Sequence, residues 1–398
     1  MNENNRIMTF ENPDGFFEME LEFQEEPKVV IYLTNPVYAS DVLFNKLRKR
    51  IQDCYFSICE IHIPEGGNVY SSEDGKMIFH RMENGKLRLG LVLTGLDHLE
   101  VPDGVFEIGY NACSMADFRS VFLPDSVCTI EKNAFSACRK MEKIRLSNEL
   151  LTIGDYAFDE CVSLRGLKLK KIYSIGYRAF QDCKRLKEIE LPEGLEFLDE
   201  EAFMSCDDLT EISLPASLKS IGKNPMLHAQ TIYLNGYVPD LIKALIPKRG
   251  SDLETVNIYL GEKAFVFPRH MSRQSYAKAE AIWADAENME PGVYGYHYFA
   301  KNPTTKRWTA LGTLLLSEDE RTRAYVQYNA ESLLEDAARY EEEFFLQIVD
   351  IFSKKKIFSS VLINMALTIA NDKEWTQTKA ELLQILSSEQ RKNPKFVL

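Results

Sequence analysis

The 398-residue sequence has no uninterrupted apolar run near the roughly 18 residues that a membrane-spanning helix requires. Residues Met1–Phe10 contain no basic segment followed by an apolar run, so we expect no secretory signal and a cytoplasmic protein. A secreted or cell-surface protein is the alternative if a signal has been removed. Basic residues are outnumbered: 47 Lys and Arg against 60 Asp and Glu give a net charge of −13. This deficit argues against nucleic acid as the main partner, because concentrated Lys and Arg bind phosphate backbones.

The common signatures of catalysis and metal binding are missing as well. The sequence contains no phosphate-binding glycine loop, no G-x-S-x-G turn, no H-E-x-x-H helix and no calcium loop. Its eight cysteines form no C-x-x-C pair. The six histidines are scattered; His62 and His98 fall on outward positions of what would be neighbouring turns, where a solvated surface pair is favoured over a metal site. We therefore expect a protein without catalytic residues, metal or cofactor.

The chain instead contains a repeat. A block A-F-x-x-C recurs with steps of 23, 22 and 23 residues between its cysteines, which are Cys138, Cys161, Cys183 and Cys206. An aliphatic residue or Met follows each cysteine at the third, sixth and eighth positions, as in Leu164, Leu167 and Leu169. The same apolar frame extends beyond these blocks, from Ile58, Ile61 and Ile63 at one end to Leu253, Val256 and Ile258 at the other.

The consensus L-x-x-I-x-L-P-x-x-L-x-x-I-G-x-x-A-F-x-x-C resembles the repeat of BspA-like leucine-rich-repeat proteins. The resemblance covers residues ~58–260, and it implies a solenoid whose usual role is to bind other macromolecules rather than to catalyse. One interval is longer than the rest, because residues 66–93 hold Asp74-Gly75 and Asn84-Gly85 between short apolar segments. These dipeptides predict hairpins inserted into the solenoid. We place the solenoid at residues 56–260.

A single repeat cannot bury its own apolar face, so the turns are expected to stack as parallel strands about 4.8 Å apart. The recurring Phe and Cys should form a buried ladder along one edge, with the cysteines as small apolar fillers rather than metal ligands. Glycine follows the last aliphatic residue of the frame, where we expect a turn to begin, at Gly109, Gly154, Gly176 and Gly222. Glu131 and Asp199 depart from this pattern and suggest local irregularity.

The flanking segments differ from the repeat. In residues 1–55, alternation over Phe17–Phe23 and the run Val29–Leu33 predict a β-hairpin, and Ser40 can cap a helix that presents Leu43 to Ile51. Together they would cap the open end of the solenoid. Residues 261–398 carry helical periodicity, apart from a loop expected over Gly292–Thr305. The predicted fold class is α+β: a leucine-rich-repeat solenoid with a parallel β-ladder, an N-terminal hairpin and helix cap, and a C-terminal α-helical domain.

The outward face of the repeat sheet, formed by the fifth and seventh residues after each cysteine position, is the predicted binding surface. Its basic and acidic residues segregate into neighbouring spots, although like charges on adjacent strands repel. One interpretation is that Lys168 pairs with Glu190 and the remaining charges are solvated. The other is that the strip docks a partner of complementary dipolar charge, with aromatic anchors on either side. The candidate binding residues are Phe122, Lys143, Arg145, Lys168, Glu188, Glu190, Glu211 and Tyr233.

The sequence therefore favours a non-catalytic scaffold that binds a protein partner through this outward face. A second hypothesis makes the solenoid a targeting module for an enzymatic or effector activity in residues 261–398, where His270, His297, Glu287, Glu290 and the loop from Gly292 could converge. A third is an exported surface adhesin. Partner identity and oligomeric state do not follow from the sequence.

Overall fold

The computed structural model describes residues 6–11, 29–35, 49, 58–93, 95–226, 228–245 and 255–392. The chain divides into two compact units, Met1–Pro247 and Lys248–Leu398. Each unit has its own core.

The first unit is the solenoid, in which each turn contributes one strand to a front row and one to a back row. The front strands carry the outward face and pair in parallel as β7-β9-β11, β13-β15 and β17-β19. Strand β13 lies beside β11, and strand β17 lies beside β15. The ladder of backbone hydrogen bonds between front strands is interrupted at these two places. The front strands are β7 His98–Glu100, β9 Ser120–Phe122, β11 Lys143–Arg145, β13 Gly166–Lys168, β15 Glu188–Glu190, β17 Glu211–Leu214 and β19 Thr231–Leu234.

The back strands form one continuous parallel ladder, which confirms the predicted architecture. The inward aliphatic residue of each turn lies over that of the next, as Ile130 pairs with Ile153 and Ile153 with Ile175. All three are almost completely buried. The back strands are β8 Val105–Ile108, β10 Thr129–Ile130, β12 Thr152–Ile153, β14 Ser174–Ile175, β16 Phe197–Leu198 and β18 Ser220–Ile221.

The A-F-x-x-C blocks form the predicted buried ladder along a third edge. The rings of Phe135, Phe158 and Phe180 stack with centroids 5.2 and 5.1 Å apart, and Phe203 continues the stack at 5.2 Å. The cysteines are free and buried, and each thiol donates to a carbonyl of the preceding turn, as Cys161 Sγ does to Phe135 O at 3.2 Å. Burial raises the pKa of these thiols well above its usual value, so they stay protonated.

Two residues in each block adopt left-handed backbone conformations without being glycine. In the first full block they are Asn133 (φ 56°) and Ala137 (φ 58°), and their equivalents recur in the next three blocks. Each donates its N–H to the next turn, Asn133 to Asp155 O at 2.9 Å and Ala137 to Asp159 O at 2.7 Å. These bonds offset the steric cost of the left-handed conformation, so the turn shape depends on the neighbouring turn.

The glycines that follow the frame lie where a turn begins, as expected: Gly154 O accepts from Ala157 N and Gly176 O from Ala179 N, each at 3.3 Å. The turn itself does not require glycine. None of Gly109, Gly154, Gly176 and Gly222 has a positive φ. Instead, their backbones pass close to the preceding turn: a Cβ on Gly154 would lie 2.7 Å from Lys132 N, and one on Gly222 would lie 2.2 Å from Glu200 N. Glycine is required here because backbone atoms cannot move aside.

We predict that Gly222→Ala lowers the free energy of unfolding of the solenoid by about 2 kcal/mol or more, because the new methyl group forces two turns apart. Gly166→Ala is the matched control, since its Cβ would meet nothing closer than 3.5 Å and should change stability by less than about 0.5 kcal/mol. Urea unfolding followed by circular dichroism measures both. Equal losses in the two variants would contradict the close-approach argument.

Asp159 is an ionisable group on the buried edge. Its Oδ1 atom is buried and has no hydrogen-bond partner within the described part of the chain. Burial, helped by the negative charges of Glu160 and Asp182, raises the pKa of Asp159 from 3.8 to about 6. The next repeat has the uncharged Gln181 at the equivalent position.

We expect Asp159→Asn to stabilise the protein at neutral pH. A carboxyl group whose pKa is higher in the folded than in the unfolded state stabilises the fold while protonated, and loses that contribution as pH rises from about 3.8 through about 6. The variant should therefore melt at higher temperature than the unmodified chain at pH 7, by a margin that disappears near pH 4. Melting curves across this range test it, and a margin independent of pH would refute it.

The insertion forms the predicted hairpins and joins the back row. Strands β4 Val69–Ser71, β5 Met77–Arg81 and β6 Leu87–Val92 run antiparallel. Gly75 and Gly85 turn with φ of 66° and 77°, the left-handed conformations that their dipeptides predict. Strand β6 then pairs in parallel with β8, so the insertion extends the back ladder.

The N-terminal end differs from the prediction. Strand β2 Val29–Leu33 lies in a parallel sheet between β1 Arg6–Phe10, which no sequence signal indicated, and β3 Ile58–His62. The frame at Ile58 therefore pairs with β2 rather than joining the front strands of the solenoid. Its core merges with that of the insertion through Val69 and Ile78. The predicted hairpin strand Phe17–Phe23 and the helix after Ser40, apart from Lys49, lie outside the described residues.

The second unit begins earlier than residue 261 and opens with strands. Strand β20 Thr255–Leu260 runs antiparallel to β21 Lys263–Pro268, because Gly261 (φ 58°) reverses the chain. The frame at Val256 and Ile258 lies on β20, which forms this hairpin with β21. The expected loop after Gly292 also contains a strand, β22 Gly292–Gly295, which pairs in parallel with β21. Tyr294 stacks on Phe265 with ring centroids 5.3 Å apart, an interaction that the sequence pattern does not reveal.

Helices make up the rest of the second unit. Helix α4 Glu320–Tyr328 is capped at its start by Asp319, whose side chain accepts from Thr322 N at 2.7 Å. Leu311, Leu334, Phe345 and Phe352 pack in one core with many others. The helices, following α1 Leu241–Leu245 of the first unit, are α2 Arg273–Ala284, α3 Pro303–Leu316, α4 Glu320–Tyr328, α5 Ala330–Ala337, α6 Glu342–Lys354, α7 Ser360–Asp372 and α8 Thr376–Lys392. Among the described helices, none is long and apolar enough to cross a membrane.

Candidate interaction face

The outward face places all eight candidate residues on front strands of the solenoid. Cα pairing sets Arg145 beside Phe122, Lys168 beside Glu190, and Tyr233 beside Ser213. Phe122 and Tyr233 are 37% and 40% exposed, which is unusual for large aromatic side chains on a sheet whose central residues are buried. The two rings lie on β9 and β19, five strand steps apart, or about 24 Å at the usual strand spacing.

The basic side of this face is largely engaged within the protein. The Arg145 guanidinium lies over the Phe122 ring, 4.4 Å from its centroid. Lys168 Nζ lies 2.9 Å from Glu190 Oε1, and this bond raises the pKa of Lys168. Lys143 is exposed and has no ion-pair partner in the described ranges. The interpretation that Lys168 pairs with Glu190 agrees with the geometry, and it leaves little free positive charge.

The acidic side forms a groove of about 650 Å³, which we call the acidic groove. Five carboxylates and one lysine contribute its charged groups. Lys187 Nζ lies 4.0 Å from Asp208, whereas Glu188 and Glu211 have no ion-pair partner among the residues that the structure describes. The lining residues are Lys187, Glu188, Ile189, Glu190, Asp207, Asp208, Thr210, Glu211, Ile212, Ser213 and Tyr233.

Asp207 and Asp208 are the groove residues that sequence reasoning missed. They directly follow Cys206 and lie in the turn before β17, outside the fifth and seventh positions that were taken as outward. A signal was present in the sequence, because the equivalent pair is basic in two other repeats, Arg139-Lys140 and Lys184-Arg185, and uncharged in a third, Val162-Ser163. The change of sign from one repeat to the next marks where the acidic groove begins.

A second, smaller groove of about 370 Å³ lies on the other side of the outward face, next to Phe122. We call it the Phe122 groove. Met77 comes from the insertion, and no sequence pattern predicted its place beside the front strands. The lining residues are Met77, Glu100, Val101, Pro102, Asp103, Phe122 and Pro124.

The two histidines considered as a pair are held separately. His62 stacks on Tyr32 with ring centroids 4.5 Å apart and lies 3.3 Å from Glu60 Oε2. His98 Nδ1 lies 2.7 Å from Ser120 Oγ. Within the described ranges, no group of three or more His, Cys, Asp or Glu side chains could hold a metal ion.

His297, Glu287 and Glu290, which were considered for a C-terminal activity, each contact other residues of the second unit. The His297 ring stacks on Tyr325 at 5.2 Å, and burial lowers its pKa, with the charge of Asp319 opposing that effect. Glu287 and Glu290 are exposed and contribute main-chain oxygens, which accept bonds from Lys263 Nζ at 2.6 Å and Tyr294 OH at 2.7 Å. The carboxylate that acts on His297 is therefore Asp319 rather than either glutamate.

The stacked parallel turns and their aliphatic frame define a leucine-rich-repeat solenoid. More specifically, residues 96–232 match the family model of the BspA type leucine rich repeat region in six copies, so these repeats are of the BspA type. The resemblance expected from the A-F-x-x-C consensus is confirmed. The frames at Ile58 and Ile258 lie outside the matched residues. No curated protein matches the chain.

Several solved structures of bacterial repeat proteins are similar to part of the chain. A leucine-rich-repeat protein of T. pallidum is 22% identical over 45% of this chain and 91% of its own, with a TM-score of 0.35. A leucine rich cell surface protein from Faecalibacterium prausnitzii A2-165 is 20% identical over 50% of this chain and 47% of its own, with a TM-score of 0.35. A leucine-rich repeat protein from Bacteroides ovatus ATCC 8483 is 21% identical over 43% of this chain and 56% of its own, with a TM-score of 0.33. The chain thus spans about half the length of the last two.

We predict that the double variant Lys143→Glu/Arg145→Glu changes the free energy of unfolding by less than about 1 kcal/mol, because Lys143 is unpaired and an exposed cation–π contact contributes roughly 0.5–1 kcal/mol. Leu167→Ala is the positive control, since Leu167 is 3% exposed and its truncation should cost about 2–4 kcal/mol. Urea unfolding compares the two. A loss in the charge variant as large as that of the control would assign the basic residues a structural role.

Proposed function

We propose that this protein is a non-catalytic scaffold that binds a protein partner through the outward face of its repeats, with the acidic groove as the main contact. The observation that carries the proposal is that Glu188 and Glu211, on neighbouring strands of an open groove, have no ion-pair partner among the described residues. Like charges placed side by side on a sheet destabilise it by a few tenths of a kcal/mol. The fold gains nothing from this arrangement, whereas a cationic partner would be attracted by it.

The exposed aromatics support the same role. Tyr233 lines the acidic groove, and Phe122 lies about five strands away. Tyrosine and other large rings at the centre or ends of an interface commonly carry much of the binding free energy. Solenoids present such side chains in a straight row, one per turn, which suits an extended partner surface.

The structure changes the contribution that we expect each of the two charged spots to make to partner binding. The sequence suggested a strip with a basic and an acidic spot that docks a partner of complementary dipolar charge. Because Arg145 and Lys168 already bind groups on the same face, we assign the larger share of partner recognition to the acidic groove. The partner surface is expected to be basic rather than dipolar, and a nucleic acid would be repelled.

We predict that Glu188→Lys/Glu211→Lys abolishes capture of a partner from native cell lysate, identified by mass spectrometry, because reversed charges repel a basic surface. Glu331→Lys/Glu335→Lys is the matched control: it makes the same change in net charge on exposed positions of helix α5, outside the solenoid, and should leave capture intact. Lys143→Glu/Arg145→Glu should weaken capture less than the groove variant does.

Two results would overturn this proposal. If capture survives reversal in the acidic groove, the outward face is a solvated surface and does not bind the partner. If the control variant loses capture equally, the effect arises from net charge alone. In either case the second unit becomes the candidate binding module.

A further inference from the structure

We infer that the Phe122 groove receives a lysine or arginine side chain of the protein partner. This inference rests on the proposed function, because it names a contact on the same outward face. The groove is separate from the acidic groove and combines an apolar floor with two carboxylates. It thus matches a side chain that has an aliphatic stem and a cationic end.

The floor of the groove is apolar and the rim is negative. Met77, Val101, Pro102, Phe122 and Pro124 supply the apolar surface, and Glu100 and Asp103 supply the charge. No basic residue is among the described residues that line it. Cα pairing of Glu100 with Phe122 sets this carboxylate on the strand next to the ring. Arg145 covers the ring from β11, on the opposite side of β9 from β7 and Glu100.

Comparison between repeats shows that Asp103 is not used by the fold. Asp103 follows Pro102 as Asp125 follows Pro124 and as Glu193 follows Pro192. Asp125 Oδ1 accepts from Asn148 N of the next turn at 3.0 Å, and Glu193 Oε1 accepts from Ala216 N at 3.0 Å. In those repeats the carboxylate fastens one turn to the next.

Asp103 lacks this bond for an electrostatic reason. The equivalent residue of its next turn is Asp125, another acid, which repels it and already binds Asn148. Within the described part of the chain, neither the Asp103 nor the Glu100 side chain has a hydrogen-bond or ion-pair partner. Two carboxylates thus border an apolar groove that has no basic residue among its described lining residues.

This combination selects a cationic side chain over a neutral one. A purely apolar group would cover the floor but would remove water from carboxylates that it cannot bond, which is unfavourable. Lysine and arginine bury their methylene stems on apolar surface and keep the charged end at its edge. The ammonium or guanidinium would then replace the lost water at Glu100 and Asp103.

The experiment uses the full chain with ¹³C-methyl-labelled methionine, and Met77→Leu identifies the Met77 signal. The probe is Nα-acetyl-lysine methylamide, titrated to about 50 mM, since a single side chain binds only in the millimolar range. The neutral comparison is Nα-acetyl-norleucine methylamide, which has the stem without the ammonium. We expect the lysine compound to shift the Met77 signal in a saturable way, and the norleucine compound to bind at least about fivefold more weakly.

Variants test the role of the two carboxylates. Glu100→Gln/Asp103→Asn should weaken binding of the lysine probe roughly fivefold or more. Glu73→Gln/Glu83→Gln removes two exposed carboxylates of the insertion that do not line the groove and should leave binding unchanged. Equal binding of norleucine, no shift of Met77, or equal loss in the control variant would each overturn the inference.

These results are independent of partner capture. If capture depends on Glu188 and Glu211 but the lysine probe does not bind, only the inference about the Phe122 groove fails. If the probe binds and capture survives charge reversal, the groove is a cation-binding pocket and the proposed function fails.

Discussion

The contact between one repeat turn and the next is the interaction on which the rest of the first unit depends. Rings of the phenylalanine stack are separated by 5.1–5.2 Å, close to the spacing of neighbouring strands, so the backbone ladder and the side-chain stack fit together. The buried thiols donate to carbonyls of the preceding turn, and the left-handed residues donate to the following one. Glycine is required where the backbones approach most closely. No turn is stable without its neighbour.

This stacking also determines how the outward face is built. Each turn contributes two outward residues to the face, at the same positions and at a fixed spacing. A substitution at one of these positions therefore changes the face at a single turn. Charged side chains elsewhere on the solenoid mostly pair between neighbouring turns, as Arg139 does with Glu160 and Lys171 with Glu149. Within the described part of the chain, Glu188 and Glu211 form no such ion pair.

The two ends of the repeat stack differ from its middle, because a terminal turn has a neighbouring turn on only one side. A stack of parallel turns leaves unpaired backbone groups and apolar surface at each end, and these must be covered. At the N-terminal end, β3 keeps the apolar spacing of the repeat but pairs with β2, and the insertion adds three strands to the back row. Met77 reaches the outward face only through this insertion. The end cap thus supplies part of the surface that we assign to binding.

The sequence alone determined the features that depend on spacing within one chain segment. The 22- to 23-residue steps predicted the parallel ladder and the buried Phe and Cys, the Asp-Gly and Asn-Gly pairs predicted the hairpins, and the helical periods predicted most of the second unit. The eight candidate residues were placed correctly on exposed front-strand positions because side chains alternate along a strand.

Tertiary structure decided what depends on a partner distant in sequence. The apolar spacing at Val256 and Ile258 does not reveal that the chain reverses at Gly261 and that β20 pairs antiparallel with β21. Whether Lys168 and Arg145 are free or engaged depends on the neighbouring turns, as does the difference between Asp103 and Asp125. Apolar spacing encodes which side of a strand is buried, but it does not encode which groups meet across strands. That choice requires the assembled fold, since hydrogen bonds and ion pairs form between atoms that only stacking brings together.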